Sequence, residues 1–409
     1  MSGTSADGVD AALVEIDQQN LKLIGAVNCA YPASVREKIL QLNIDPVLDI
    51  ADLCELEHQV SISFIEATQT LLNKHSVDEQ NVIAVGSHGQ TVFHNPTSHL
   101  ATARAATTMQ LGNSGLIAVT LGIDTIGDFR RADMAAGGQG APLMPAFHHA
   151  MFGDKELRFV LNLGGIANIT VLGSDNVIGF DTGPANTLLD AWSNRHLSKP
   201  YDEGGQWARQ GHIDNTLLQS MLSDNYFKQS PPKSTGTDYF NLSWLQQFLS
   251  LTNHDKGNHD KGNHGKGDGA KGNSSKDNDG EDYRAENIQA TLMELSVHTI
   301  AESILACTHN ALKQTHAALH KPDQSIEVLV CGGGAHNAYL VEQLEQKLPE
   351  HCVLPTSAHG IDGDYCEAMG FAWLAYRHLQ KLPGNLPSVT GARSEVVLGG
   401  SYVGRPDRH

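Results

Sequence analysis

Three stretches of the chain hold polar residues whose types and spacing could do chemistry. In "GFDTGPAN", Asp181 follows an apolar run and precedes Pro184, a residue suited to opening a helix. A carboxylate there is either a helix cap or a general base held at the mouth of a cleft, and spacing alone leaves both open. In "GDFRRADMAAGGQGAP", adjacent Arg130 and Arg131 stand between Asp128 and Asp133. They read as a surface ion-pair cluster or as a fork of donors for a carboxylate or phosphate. "SHGQTVFH" puts His88, Gln90 and His94 after an apolar run. Any one histidine there is more simply a structural, hydrogen-bonded one, but three polar groups together favour a pocket.

Two further stretches are rich in glycine. In "GTSADG", Gly3, Thr4, Ser5, Asp7 and Gly8 make a turn whose backbone N–H groups could face a phosphate, although the same residues also build ordinary turns. "VLVCGGGAHNAYL" runs a strand into Gly332, Gly333 and Gly334, leaving room for a ring or phosphate against bare backbone. It carries neither the G-x-G-x-x-G of a dinucleotide fold nor the G-K-[ST] of a P-loop, so neither superfamily is favoured.

The elements that must position these residues alternate in type. Strands are expected over 11–17 and 22–31, then a helix through Leu53, Leu56, Val60 and Phe64. "VIAVGSHG" reads as a buried parallel strand, followed by a helix from Ser114 and the strand "GIDTIGDF". The pattern restarts with "LRFVLNLGGIANITVLG" and "NVIGFDTG". A long helix from Ala285, the strand "IEVLVC", a helix from His336 and an amphipathic helix in "YCEAMGFAWLAYRHL" follow. Each half opens with a strand and a glycine-containing hairpin, which predicts two α/β lobes around a cleft, residues 1–150 and 151–409. In the first half only Met1 and Ser2 precede the turn, so its leading strand is expected to be missing.

Residues 253–280 stand apart, a near-repeat that holds no apolar residue larger than Ala270. They are expected to form a disordered surface insertion. His254, His259 and His264 recur there beside Asp255, Asp260 and Asp268, but a tract without fixed geometry is a weaker metal site than a solvated linker, and no metal ligand is assigned. The net charge of -18 over 409 residues disfavours nucleic acid and anionic membranes as partners, leaving a small metabolite. No export signal or membrane-length apolar run is present, so a cytoplasmic location is expected, with the six scattered cysteines reduced.

The ordered set "MSGTSADGVD", "GSHGQTVFH", "QLGN", "DFRRADMAAGGQGAPL", "NLGGIANIT", "GFDTGPAN", "STGTDYFNLSWL", "VCGGGAHN" and "EAMGFAWLA" closely resembles the anhydro-N-acetylmuramic acid kinases, over nearly the whole chain apart from the insertion. The resemblance implies two actin-like, ribonuclease H-like ATPase lobes with ATP and sugar meeting in the central cleft. It implies a kinase of peptidoglycan recycling that uses ATP and Mg2+, and water to open 1,6-anhydro-N-acetylmuramic acid, giving N-acetylmuramic acid 6-phosphate. By the same likeness Asp181 is the catalytic base. Gly3, Thr4, Ser5, Ala6, Asp7, Gly8, Val9 and Asp10 form the first ATP-binding hairpin, Gly164, Gly165 and Asn168 belong to the second, and Gly332, Gly333, Gly334 and Asn337 hold the adenosine. His88, Gln90, Arg130, Arg131, Gly183 and Asn186 are the candidates for sugar contact. A homodimer is allowed. The alternatives are a kinase for another amino sugar and a non-catalytic actin-like ATPase.

Overall fold

The first hairpin pairs β1 (Gly8–Ile16) antiparallel with β2 (Leu21–Ala30), with a bulge between Leu13 and Val14. The computed structural model describes all residues except 4–5, 18–19, 97–104, 154–155, 174–176, 260–283, 315–324 and 406–409, and only the backbone at 43–44, 251–259 and 314. Helices α1 (Ala33–Ile44) and α2 (Ile50–Lys74) follow. The Asp49 side chain caps α2 by accepting from the Ala51 N–H, and Leu56, Val60 and Phe64 turn inward at the spacing expected of one buried helix face. The apolar run before His88 yields only a two-residue strand, β3 (Val85–Gly86). Next come the antiparallel pair β4 (Gln90–Asn95) and β5 (Thr107–Leu111), then α3 (Ser114–Leu121) and β6 (Thr125–Gly127), which is parallel to β3. Short α4 (Arg131–Ala135) and α5 (Met144–Phe152) lead out of this lobe.

The second lobe opens with the antiparallel meander β7 (Arg158–Leu163), β8 (Ile166–Leu172) and β9 (Ile178–Pro184). Among the described residues there follow α6 (Asn186–Leu197), α7 (Asn215–Leu222), α8 (Leu242–His259) and α9 (Ala285–Gln314). Then β10 (Ile326–Cys331) lies parallel to β7, and after α10 (Ala338–Lys347) β11 (His351–Pro355) lies parallel to β10. The sheet order β11-β10-β7-β8-β9 is a meander extended by two parallel strands. Pro184 does not open a helix as its type suggested. It is the last residue of β9, still opposite Ile166, and α6 starts two residues later. Of the low-complexity tract, residues through His259 continue α8, whereas Asp260, His264 and Asp268 lie outside the described residues.

In the first lobe, Met1 takes the place that β7 has in the second. The Asp10 N–H donates to the Met1 carbonyl and the Met1 nitrogen to the Asp10 carbonyl, each at 2.8 Å, and Ser2 bridges Gln90 in parallel. The chain then returns to this lobe: α11 (Cys366–Leu379) packs on β1 and β3 as well as on α5. After α12 (Pro387–Thr390), β12 (Gly400–Tyr402) joins β6 antiparallel. One hydrophobic cluster therefore spans both lobes, combining Ile126 and Phe129 with Val160, Leu329 and Phe371. No described helix is long and apolar enough to cross a membrane.

Candidate active site

Asp181 lies inside β9, opposite Asn168 of β8, so it is held by the sheet and caps no helix. Its backbone is clamped by the segment before α8: its N–H donates to the Lys233 carbonyl at 3.0 Å, and the Tyr226 hydroxyl donates to its carbonyl at 2.7 Å. One carboxylate oxygen, Oδ2, accepts from Ser234 Oγ and from the Thr235 N–H, each at 2.9 Å. Oδ1 meets no partner among the described residues. Burial raises the Asp181 pKa, opposed by these two hydrogen bonds and by Lys233 nearby. The Lys233 ammonium sits 4.7 Å from the centre of the Tyr226 ring, a cation over an aromatic face. The arrangement is a proton acceptor of raised basicity with one oxygen fixed and the other available.

A second group gathers on the first lobe. The Arg130 guanidinium donates through Nε at 3.0 Å and lies 2.9 Å through Nη2 from His88 Nε2, while Nη1 donates to the Gly140 carbonyl at 2.9 Å. His88 must then present a lone pair at Nε2, and burial followed by the Arg130 charge holds its pKa well below the ordinary value. The imidazole is neutral and packs 4.4 Å from the Phe371 ring. Arg130 is half-buried, and the desolvation of its guanidinium lowers its pKa to about 10, a shift that Glu367 in the first turn of α11 opposes. Glu367 is pushed up by burial first, and Asp10 adds to the effect. The paired arginines therefore part company: Arg131 stays at the surface, 3.4 Å from Asp128, with 61% of its side chain exposed. Gln90 is taken by the opening turn, its Oε1 accepting from Ser2 Oγ at 2.6 Å and its Nε2 donating to the Gly3 carbonyl at 3.1 Å. His94 Nδ1 lies 3.0 Å from Thr108 Oγ1.

Two residues that sequence reasoning passed over organise this group. Asp133, fully buried, accepts from the Gly140 N–H, Asn385 Nδ2 and Thr390 Oγ1, each at 2.7 Å, and so ties the glycine-rich loop to the end of the chain. Its only sequence signal was a place beside the arginines. Glu367 was visible only as part of an amphipathic helix.

The glycine loops differ in what they leave open. Around the first, Thr4 and Ser5 lie outside the described residues. Ala6 and Val9 are buried in the first-lobe core, Asp7 pairs with Arg36 at 2.9 Å, and Asp10 accepts from Asn28 Nδ2 at 2.7 Å. Gly8 lies flat on β2, where a Cβ would meet the Cys29 carbonyl oxygen at 2.5 Å. In the second hairpin the Gly165 carbonyl accepts from the Ala185 and Thr187 N–H groups and the Gly164 carbonyl from that of Asn186, which fastens the start of α6 to the turn. Asn186 Nδ2 also donates to the Leu163 carbonyl at 3.0 Å. Gly183 is packed against Phe227, where a Cβ would stand 2.9 Å from the ring. In the third loop Gly332 has φ +82°, and Gly334 presses on Leu163, but a Cβ on Gly333 would meet nothing within 4 Å. Asn337 caps α10, its Oδ1 accepting from the Leu340 N–H at 3.1 Å. Asp7 of the first loop lies within electrostatic reach of Asp190 on α6.

Comparison with known proteins adds an independent line. Residues 1–404 match the family model described as anhydro-N-acetylmuramic acid kinase. A protein of that name from Photobacterium profundum is 41% identical over 404 residues, covering 98% of this chain and 97% of its own length. One from Pasteurella multocida is 41% identical over 409 residues, covering 100% of this chain and 96% of its own. Among solved structures, the activator of 2-hydroxyisocaproyl-CoA dehydratase from Clostridium difficile, with bound ADPNP, aligns over 91% of this chain and 96% of its own at 9% identity and a TM-score of 0.35.

Proposed function

The chain belongs to the anhydro-N-acetylmuramic acid kinase family, and from that premise we propose how its own residues carry the reaction. The enzyme is a kinase of cell-wall recycling that phosphorylates an anhydro amino sugar. The overall change consumes 1,6-anhydro-N-acetylmuramic acid, ATP and water and yields N-acetylmuramic acid 6-phosphate and ADP. Asp181 takes the proton of the attacking water on Oδ1. As water adds to carbon 1, the bridging oxygen leaves that carbon and attacks the γ-phosphorus, so ring opening and phosphoryl transfer are one coupled event.

The observation that carries this reading is the setting of the Asp181 carboxylate. Burial makes it a stronger base, while Ser234 and Thr235 fix one oxygen and so aim the other. Arg130 has three of its five N–H donors directed at His88 and Gly140, leaving two for an oxygen of sugar or phosphate. Of the two arginines the reading rests on Arg130, since Arg131 is engaged at the surface. The open face at Gly333 suits the adenine nucleotide. Mg2+ would arrive on the nucleotide and be reached by one or two carboxylates. Asp10 and Glu367 would be the carboxylates to reach it, and Mg2+ bound there would neutralise phosphate charge. A cytoplasmic location and a small-molecule partner accord with the net charge of -18.

The test is Asp181→Asn, which keeps size and most hydrogen bonds but cannot accept the proton. Turnover should fall roughly 100-fold or more while ATP and sugar still bind. Near-normal turnover, or a variant that phosphorylates sugar and leaves the anhydro ring closed, would remove Asp181 from the coupled step. Assay against a panel of sugars without the anhydro bridge separates this reading from an ordinary amino-sugar kinase.

A further inference from the structure

The short helix α12 touches both halves of the candidate site. Thr390 ends it, and the Thr390 hydroxyl donates to Asp133 Oδ1 at 2.7 Å, beside Asn385 Nδ2 at the same distance. The other oxygen, Oδ2, accepts from the Gly140 N–H at 2.7 Å, and the Gly140 carbonyl accepts from Arg130 Nη1 at 2.9 Å. Gly140, at φ +70°, therefore passes position from the Asp133 carboxylate to the Arg130 guanidinium. Backbone bonds run alongside: the Gln139 N–H donates to the Thr390 carbonyl at 2.8 Å and the Arg393 N–H to the Ala136 carbonyl at 2.9 Å. Asp133, Asn385 and Thr390 are 0%, 3% and 1% exposed. A carboxylate so buried that loses one donor must shift toward those that remain, and the loop bonded to it shifts too.

The preceding residues of the same helix face the other way. Ser388 Oγ donates at 2.9 Å to the carbonyl of Val177, the residue before β9. Val389 is buried against β9, where a Cβ on Gly179 would stand 3.3 Å from its Cγ1. Gly179 lies two residues before Asp181 on the same strand. Three consecutive residues are thus divided, Ser388 and Val389 onto the strand of the base and Thr390 onto the loop of the arginine.

We propose that α12 is a strut that sets the Arg130 loop against the Asp181 strand, with Ser388, Val389 and Thr390 as positioning residues for the reaction. The inference rests on the reading in which Asp181 is the base and Arg130 binds an oxygen of sugar or phosphate. In a coupled step, water loses its proton at one group while the other steadies oxygen charge, so the two must keep a fixed separation although they stand on different lobes.

The full-length enzyme is compared with Thr390→Val, Thr390→Ser and Ser388→Ala, each also in an Arg130→Lys background. Thr390→Val keeps the volume and loses the hydroxyl, and kcat/KM for the anhydro sugar should fall roughly tenfold. Thr390→Ser keeps the hydroxyl and should stay within about threefold of the parent. Ser388→Ala removes one bond at an exposed position, which leaves folding intact, and should cost roughly threefold. With Arg130 already replaced there is no guanidinium left to misplace, so neither loss should recur; a second loss of full size in the double variants assigns the effect to general structure and overturns the strut. Parent activity in Thr390→Val and Ser388→Ala, with Arg130→Lys impaired, removes the strut alone. An Arg130→Lys enzyme that turns over like the parent removes the reading of Arg130, and the strut with it. The nitrogen-15 resonance of His88 Nε2, identified by its loss in His88→Gln, gives a readout without turnover, because this nitrogen faces the guanidinium. It should move in Thr390→Val, and an unmoved resonance overturns the proposal.

Discussion

At the level of single residues, the contrast between the two oxygens of Asp181 is the most informative detail. Oδ2 is held by Ser234 and Thr235, and those bonds favour the carboxylate against the burial that opposes it. Removing one should raise the Asp181 pKa further. A base acts only when ionised, so Ser234→Ala should move the acidic limb of the pH–rate profile upward by up to about one unit. Turnover would be hurt most on the acid side and approach the parent value at alkaline pH. A uniform loss at all pH values would instead indicate that Ser234 shapes the site without tuning the base. From spacing alone Asp181 was as good a helix cap as a base; the strand pairing with Asn168 removes the cap, because a residue in mid-strand has no helix end to satisfy.

Among the elements, α6 carries the clearest electrostatic burden. Burial, then Asp7 and Asp202, push the Asp190 pKa up to about 7. The folded protein thus holds this proton more tightly than the unfolded chain, where an aspartate titrates near pH 4. The stability that the proton supplies is complete below about pH 4 and is lost as pH rises through 7. Asp190→Asn should therefore melt higher than the parent at pH 8, with the gain shrinking to nothing by about pH 4. Thermal melts across that range decide it: a gain independent of pH would assign the effect to packing. The strand before His88 is a further lesson at this scale. Its apolar run promised a full strand, but only Val85 and Gly86 pair with β6, since β4 turns away to join β5.

At the scale of the whole molecule, α11 makes the two lobes one cooperative unit. It packs on β1 and β3 from one lobe and on α5, which leads into the other, and Phe371 stands at the join, 2% exposed. Its ring lies 4.4 Å from His88 and 5.6 Å from Phe129. Phe371→Ala leaves a cavity in a core common to both lobes and should cost about 3–5 kcal/mol. Calorimetry should show one transition shifted to lower temperature. Two separated transitions, with only one moved, would show that the lobes unfold independently. The loss should also loosen His88 and with it Arg130, so ATP-dependent turnover should fall even where the variant remains folded.

The sequence by itself determined the alternation of strands and helices, the glycine loops and the position of Asp181, because periodicity, turn residues and an ordered set of motifs are local properties of the chain. It also held the family, since "GFDTGP" and "AAGGQGAP" are contiguous strings. Tertiary structure decided what depends on distant partners. Arg130 turned inward onto His88 while its neighbour Arg131 stayed at the surface. Asp133 became the anchor for Asn385 and Thr390. The return of α11 and β12 to the first lobe was equally hidden, because contact between residues hundreds of positions apart leaves no trace in local spacing; it arises only when the sheets close around one core.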